Sequence, residues 1–146
     1  MANIIHLRKK VFTIRLWHYK LIPYLPREML VSQWRECIAI KRQWEKGSLK
    51  HRLVSYVMDY DKALFNNYTK NIVEEMVKRH LKVKISYYIE INEFCHGKTI
   101  HNNYPEHNDR YLKQCIYNLQ EKFDRGIITK KEWDEIENHF QIDVDT

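Results

Sequence analysis

The chain has 146 residues and a mass of 18.0 kDa, which is the size of one domain with a single hydrophobic core. Hydrophobic residues make up 44% of the sequence, which argues against an intrinsically disordered chain. The mean hydropathy of −0.65 argues against a membrane protein. No apolar run approaches the roughly 18 residues of a membrane-spanning helix, and no secretory signal pattern follows the first basic cluster. We therefore expect a soluble, cytoplasmic domain.

Positive charge is concentrated in the first third of the chain, within a net charge of +6. Residues 1–52 contain 12 Lys and Arg against 3 Asp and Glu, a net +9, whereas residues 53–146 contain 13 against 16, a net −3. Such asymmetry is typical of a protein that binds nucleic acid, because neutralised phosphates release counterions. The alternative is a solvated cationic face without a partner.

Glycine and proline are scarce, with three of each, which favours helices joined by short connections over a turn-rich β fold. Pro23 and Pro26 predict an extended segment at 22–25. Pro26 also suits the first position of a helix, where its missing N–H is not needed.

The first helix is predicted over 27–45, followed by Gly47 as a left-handed residue. Its apolar stripe consists of Leu30, Trp34, Cys37, Ile38 and Trp44. We expect this helix to bury Trp34 and to point Arg35 and Glu36 outward.

A second helix is predicted over 61–82 from a stripe at the helical period. The stripe consists of Leu64, Phe65, Tyr68, Ile72 and Met76. Residues 83–91 instead alternate apolar and polar side chains, which predicts a strand.

Two more helices are predicted in the last third of the chain. One follows Pro105 and ends near Arg125 and Gly126. The other begins at Thr129, which forms a capping box with Glu132. The prediction is a mainly α, compact single-domain fold with extended connecting segments.

Two short motifs near the amino terminus carry a resemblance to a known family. Ile14-Arg15-Leu16, followed on a helix by Trp34-Arg35-Glu36, resembles the pyrimidine-dimer DNA glycosylase family, the phage-type endonuclease V. The run RLWHYKLIPYLP and the later segment YPEHNDRYL are more similar to a bacterial branch grouped with those enzymes. The likeness to the branch covers most of the chain from Ile14 onward, and that to the phage enzyme is concentrated in 14–36.

The resemblance implies that the chain has the pyrimidine-dimer glycosylase fold. It also implies that the protein is a DNA repair enzyme with glycosylase and AP lyase activities. Its substrate would be duplex DNA with pyrimidine dimers or abasic sites, and its reaction would pass through an amine–imine intermediate. Glu36 and Arg15 would be the catalytic residues. The resemblance implies no cofactor and no metal, and we expect a monomer without a membrane or an obligatory protein partner.

The residues expected at the DNA interface are Arg35, Arg42, Lys20, His18, Trp17 and His107. Arg15 and Arg35 would hold phosphates, because a guanidinium fork matches phosphate oxygens. Trp17, with Tyr19 and Tyr24, would receive an unstacked base, with core packing as the alternative.

The remaining interface predictions have their own grounds. His18 would line the site, with a structural histidine as the alternative, and His107 lies in the segment that resembles the bacterial branch. Arg42 would replace a helix arginine of the phage enzyme, because Ala39 occupies that place.

The nucleophile is expected to be an α-amine directly before the first arginine of the motif. Residues 1–13 are therefore interpreted as a basic extension before a single domain at 14–146. One hypothesis is that translation begins at Ile14 from an unusual initiation codon. A second hypothesis uses Lys20 or Lys41, which would each need a lowered pKa.

Three alternatives differ in function class. Cys95-His96, His101 and His107 would bind a metal, although their spacing matches no compact zinc pattern. A noncatalytic nucleic-acid-binding helical protein and a helical interaction protein are the others. The three cysteines form no CxxC pair, which predicts reduced thiols in the core.

Overall fold

The computed structural model describes residues 14–141, and these residues form helices and no strand. The α-helices are α1 (Arg27–Glu45), α2 (Lys62–Lys78), α3 (Ile85–Phe94), α4 (Asp109–Asp124) and α5 (Lys130–Phe140). Two 3₁₀-helices span Tyr19–Tyr24 and Ser55–Asp59. The predicted mainly α fold is confirmed, and the predicted extension 1–13 lies outside the described residues.

Helix α1 has the predicted bounds and forms the centre of the fold. Pro26 caps it instead of occupying its first position, and Gly47 follows its end with φ of 72°, which avoids strain because glycine lacks a Cβ. Leu30, Trp34 and Cys37 are buried where α1 packs against α2 and α3.

Helix α2 begins as predicted and ends earlier than predicted. Asp61 caps it by accepting a hydrogen bond of 2.8 Å from the N–H of Ala63, which satisfies a donor that the first turn leaves free. The helix ends at Lys78, and the left-handed His80, with φ of 60°, departs from helical backbone geometry shortly after it. The predicted apolar stripe of α2 is buried.

The strand predicted at 83–91 is wrong, because most of this segment forms α3. Within the helix, Ile91 and Phe94 lie on the buried face, whereas Ile85 and Ile89 are 62% and 50% exposed. No neighbouring strand accepts its backbone hydrogen bonds in the part of the chain that the structure describes, and a helix satisfies those groups internally. Packing against α1 and α2 thus overrides the alternating pattern.

The extended segment predicted at 22–25 is also partly wrong, because Pro23 lies inside the first 3₁₀-helix. This turn is fixed from α2 by Arg79, whose guanidinium donates to the carbonyls of Leu25, Pro23 and Ile22 at 2.7, 2.9 and 3.3 Å. One cation therefore binds three carbonyl groups of this proline-containing turn.

Helices α4 and α5 form a pair, and α5 also contacts the first 3₁₀-helix. The predicted capping box is confirmed, with Thr129 N–H donating to Glu132 at 2.8 Å and Glu132 N–H donating to Thr129 at 3.1 Å. Ile128 and Trp133, which flank this box, are both buried. The pair consequently covers the amino-terminal segment.

Cys37, Cys95 and Cys115 are buried free thiols, as predicted. Within residues 14–141, no helix combines the length and the apolar character needed to cross a membrane.

Candidate active site

The buried side chain of Gln33 on α1 connects the amino-terminal segment to Glu36. Its Nε2 donates to the carbonyl of Arg15 at 2.8 Å and to Oε1 of Glu36 at 2.9 Å. Its Oε1 accepts from the N–H of Trp17 at 2.7 Å and from the hydroxyl of Tyr68 at 3.0 Å. The Arg15 backbone and the Glu36 carboxylate therefore share one amide as a hydrogen-bond partner.

Two other side chains hold the same segment, Tyr111 from α4 and the buried His107 from the loop before α4. Tyr111 on α4 donates to the carbonyl of Leu16 at 2.6 Å. His107 accepts at Nδ1 from the N–H of Tyr19 at 3.3 Å and pairs at Nε2 with the hydroxyl of Tyr56 at 2.7 Å. The backbone before the first 3₁₀-helix is thus fixed by polar contacts on several sides.

Glu36 has the environment of a carboxyl group with a raised pKa. Burial raises its pKa from 4.5 to about 7, and the hydrogen bond from Gln33 and the charges of Arg35 and Lys122 oppose the rise. Both protonation states are consequently populated near neutral pH, which suits a group that exchanges protons or stabilises a developing cation. The prediction that Glu36 points outward is correct only in part, because its side chain is half-buried.

Arg15 lies on the side of this site that α4 covers. Its guanidinium is 5.8 Å from the ring centre of Trp17. Burial raises the pKa of the Tyr111 hydroxyl, and the nearby charge of Arg15 opposes that rise. The Arg15 side chain therefore lies near Tyr111 of α4, while the backbone carbonyl of Arg15 accepts from Gln33.

Three residues predicted at the DNA interface are instead core residues. Trp17, His18 and His107 are 7%, 0% and 5% exposed. Burial lowers the pKa of His107 to about 3 and lowers that of His18, so both rings are neutral parts of an aromatic cluster. Their burial favours the alternatives of core packing for Trp17 and a structural role for His18, and the contacts of all three residues with DNA stay predictions.

The other residues predicted at the DNA interface differ in their exposure and in their contacts with other side chains. Arg35 and Lys20 are exposed, and Arg35 is close enough to Glu36 to affect its pKa. Arg42 forms a bidentate pair with Glu90 at 2.9 and 3.0 Å, so its charge is already neutralised. Tyr24 stacks on His139 with ring centres 4.1 Å apart, and Tyr19 is half-buried.

Two residues near Glu36 were not predicted from the sequence. Gln33 stands one helical turn before Glu36, and that spacing is the only sequence signal for their contact. Lys122, whose charge lowers the pKa of Glu36, comes from α4 and is distant in sequence. No local pattern connects it to the motif.

Two alternatives from the sequence lose support. Burial disfavours the charged form of Lys41, but its pairs with Glu45 at 2.9 Å and Glu90 at 3.1 Å outweigh this and raise its pKa. It is therefore a poor amine nucleophile. In the described part of the chain, no three His, Cys, Asp or Glu side chains are arranged to hold a metal ion, so Cys95 and His101 do not complete a centre with His107.

Comparison with known proteins gives one match. The family model for pyrimidine dimer DNA glycosylase matches residues 14–88, which contain Arg15, Gln33 and Glu36, while α4 lies beyond the match. No curated protein and no solved structure matches the chain. Because the family model covers more than half of the sequence, this chain belongs to the pyrimidine dimer DNA glycosylase family.

Proposed function

We propose that this protein is a DNA glycosylase and AP lyase that acts on pyrimidine dimers or abasic sites in duplex DNA through an amine–imine intermediate. Family membership supports the glycosylase role on pyrimidine dimers and implies DNA as the substrate. The observation that carries the proposal is the half-buried Glu36, with a pKa of about 7, tied through Gln33 to the backbone of Arg15.

The reaction begins when a neutral amine attacks the sugar C1′ and the base leaves with the electron pair of the glycosidic bond. The amine loses a proton, the sugar ring opens, and an iminium ion forms. Removal of a C2′ proton then expels the 3′ phosphate, and water releases the enzyme amine from the imine. No metal or redox partner takes part in these steps.

Glu36 stabilises the positive charge that develops at the sugar and exchanges protons with it. A carboxylate in a partly desolvated site interacts with such a charge more strongly than one in water. Its pKa of about 7 leaves a large carboxylate fraction at neutral pH.

The nucleophile in this proposal is the α-amine of residue 14, in protein whose translation begins there. The family match also starts at residue 14. An α-amine has a pKa of about 8 and a lysine amine one of about 10.4, so far more of the former is neutral at pH 7. Lys20 is the alternative, and mass analysis of the native amino terminus distinguishes the two.

Cationic side chains lie near this centre. Arg35 and Lys122 supply charges near Glu36, and Arg15 and the exposed Lys20 lie at the amino-terminal segment. We propose that these cations straddle the damaged step of the duplex. Four statements stay predictions from the sequence: a single domain at 14–146, a cytoplasmic location, a monomeric state, and the absence of a metal or protein partner.

Borohydride trapping tests the proposal. Protein with a defined amino terminus is mixed with duplex DNA that contains one abasic site or one thymine dimer, with undamaged duplex as the control. We expect a covalent adduct on the peptide that begins at residue 14 with abasic DNA, and cleavage of one glycosidic bond with dimer DNA. The cyclobutane ring keeps the cleaved base attached to its neighbour, so base release is measured after photoreversal of the dimer. Glu36→Gln should lose base release, whereas Glu90→Gln should retain it.

The other outcomes identify other functions. Binding to damaged duplex without an adduct or cleavage indicates a noncatalytic DNA-binding protein. Neither binding nor trapping indicates a helical interaction protein, and either result overturns the proposed enzyme.

A further inference from the structure

The side-chain amide of Gln33 forms all four hydrogen bonds that it can form, two as a donor and two as an acceptor. Its side chain is 0% exposed, and the four partners are the Arg15 carbonyl, the Glu36 carboxylate, the Trp17 N–H and the Tyr68 hydroxyl. A buried amide satisfied on both sides is held in one position, because rotation would leave polar groups unpaired.

The partners also fix which way the amide faces. The N–H of Trp17 can only donate, so the atom at 2.7 Å from it must be the Gln33 oxygen. The carbonyl of Arg15 can only accept, so the atom at 2.8 Å from it must be the Gln33 nitrogen. A flipped amide would oppose donor to donor and acceptor to acceptor.

We propose that Gln33 is a positioning residue, which fixes the Glu36 carboxyl against the backbone of Arg15 and occupies Oε1 of Glu36 with a donated hydrogen bond. This inference rests on the proposed function of Glu36. Because Oε1 accepts from Gln33, a proton on Glu36 belongs on Oε2. That oxygen is thereby reserved for the substrate.

The Gln33 hydrogen bonds also connect the amino-terminal segment at Arg15 to Glu36 on α1. One Gln33 nitrogen holds both the carbonyl of Arg15 and the carboxylate of Glu36. An amine at residue 14 would therefore keep a fixed position relative to Glu36 when DNA binds, which is the condition for a rate gain from orientation. Loss of Gln33 should reduce the chemical rate more than DNA affinity.

Other charged and titratable groups face Glu36 and must be considered in any pH measurement. Arg35 on the same helix and Lys122 on α4 lower the pKa of Glu36. Cys37 is adjacent, and burial raises the pKa of its thiol well above the usual value, so it stays protonated near neutral pH. The proposal therefore concerns only the contribution of the Gln33 hydrogen bond.

An NMR titration of the unmodified protein tests the contact without any DNA or activity. The side-chain amide resonances of Gln33 should follow the titration of the Glu36 carboxyl carbon, with one shared midpoint. Glu36→Gln should abolish the pH dependence of the Gln33 resonances. Gln33 resonances that do not change through the Glu36 titration would overturn the proposal.

Two substitutions test the consequence for chemistry. Gln33→Met removes the donated hydrogen bond, and Gln33→Glu retains the acceptor for Trp17 while it removes the donor to Glu36. Both should move the Glu36 midpoint upward, by about one pH unit for the methionine variant. Single-turnover base release should fall several-fold at pH 7 and recover only in part at higher pH, because ionisation of Glu36 returns but its orientation does not. The Kd for damaged DNA should change less.

Tyr111→Phe is the matched control, because it removes a bond to the same segment at Leu16 and leaves the Gln33 contacts intact. It should not move the Glu36 midpoint. If both folded Gln33 variants keep the wild-type midpoint and the wild-type single-turnover rate, the positioning role is wrong. If the NMR results hold but no base is released from damaged DNA, the proposed function fails and the Gln33–Glu36 contact stands.

Discussion

Glu36 and Glu90 are two carboxyl groups beside α1 with opposite electrostatic environments. Burial raises the pKa of Glu36 to about 7. The hydrogen bonds and charges of Arg42 and Lys41 lower the pKa of Glu90 to about 2. Glu90 has two cations within 3.1 Å, whereas the only direct partner of Glu36 among the described residues is the neutral amide of Gln33.

The difference separates a carboxyl group on α3 that is paired with cations from one on α1 that has no such pair. Glu90 accepts bonds from two cations and joins α3 to α1, so its charge stabilises the fold. Glu36 is partly desolvated without a cation in hydrogen-bonding contact, so its charge is unfavourable to the fold and available to a substrate. Active sites often contain groups of the second kind, at the expense of stability.

Substitution of Glu36 should have the largest effect on function. Glu36→Gln should reduce base release from dimer DNA by about 10²–10⁴-fold, because the group that exchanges protons and offsets the developing charge is lost. A single-turnover assay measures this. Glu90→Gln is the control, and an equal loss in that variant would contradict distinct roles for the two carboxyls.

The same Glu36 substitution should leave the fold as stable or more stable at pH 8. The folded pKa of about 7 lies above the ordinary value of 4.5, so the folded protein binds more protons between these values and stability falls as pH rises through them. Glutamine has no such dependence. Chemical denaturation should show a gain of about 1–3 kcal/mol at pH 8 that is absent at pH 4.5.

Glu90→Gln should destabilise the fold at pH 7 by about 1–2 kcal/mol, because the buried Lys41 loses one of its two carboxylate partners. The folded pKa of about 2 lies below the ordinary value, so this contribution is present above pH 4.5 and declines as pH falls towards 2. Denaturation at pH 7 and pH 3.5 measures the difference. Glu45→Gln, whose side chain is 56% exposed, is the milder control.

The smallest predicted effect concerns DNA affinity and salt. Arg35→Ala should lower the slope of log K against log salt by about one, if Arg35 neutralises one phosphate. Arg42→Ala should change the slope less, because Glu90 already neutralises Arg42. Titrations at several salt concentrations compare them, and a larger change for Arg42 would restore it as a phosphate contact.

Most helices were predictable because their signals are local. The 3.6-residue stripes of α1 and α2 and the cap of α5 each lie within one segment of sequence. Helix α3 was not predictable, because its alternating apolar and polar residues fit a strand equally well. Only packing against α1 and α2 determines that the segment is helical. The 3₁₀ turn at Pro23 likewise depends on Arg79, which is distant in sequence.

The sequence predicts those candidate site residues that belong to a short motif. It does not predict which side chains the fold buries. Glu36 and Arg15 follow from the family resemblance. Trp17, His18 and His107 carry the residue types of an interface, but their burial depends on side chains from several elements. Gln33 is an ordinary polar residue in a helix, and its importance arises only when the amino-terminal segment lies against it.

The burial of Cys37, Cys95 and Cys115 has a practical consequence for spectroscopy. Burial raises the pKa of all three thiols, and these are all the cysteines of the sequence. A maleimide reacts with exposed thiolates, so a single cysteine introduced at the exposed Ser48 would be the selective attachment point for a fluorophore. The wild-type background therefore needs no cysteine removal before labelling.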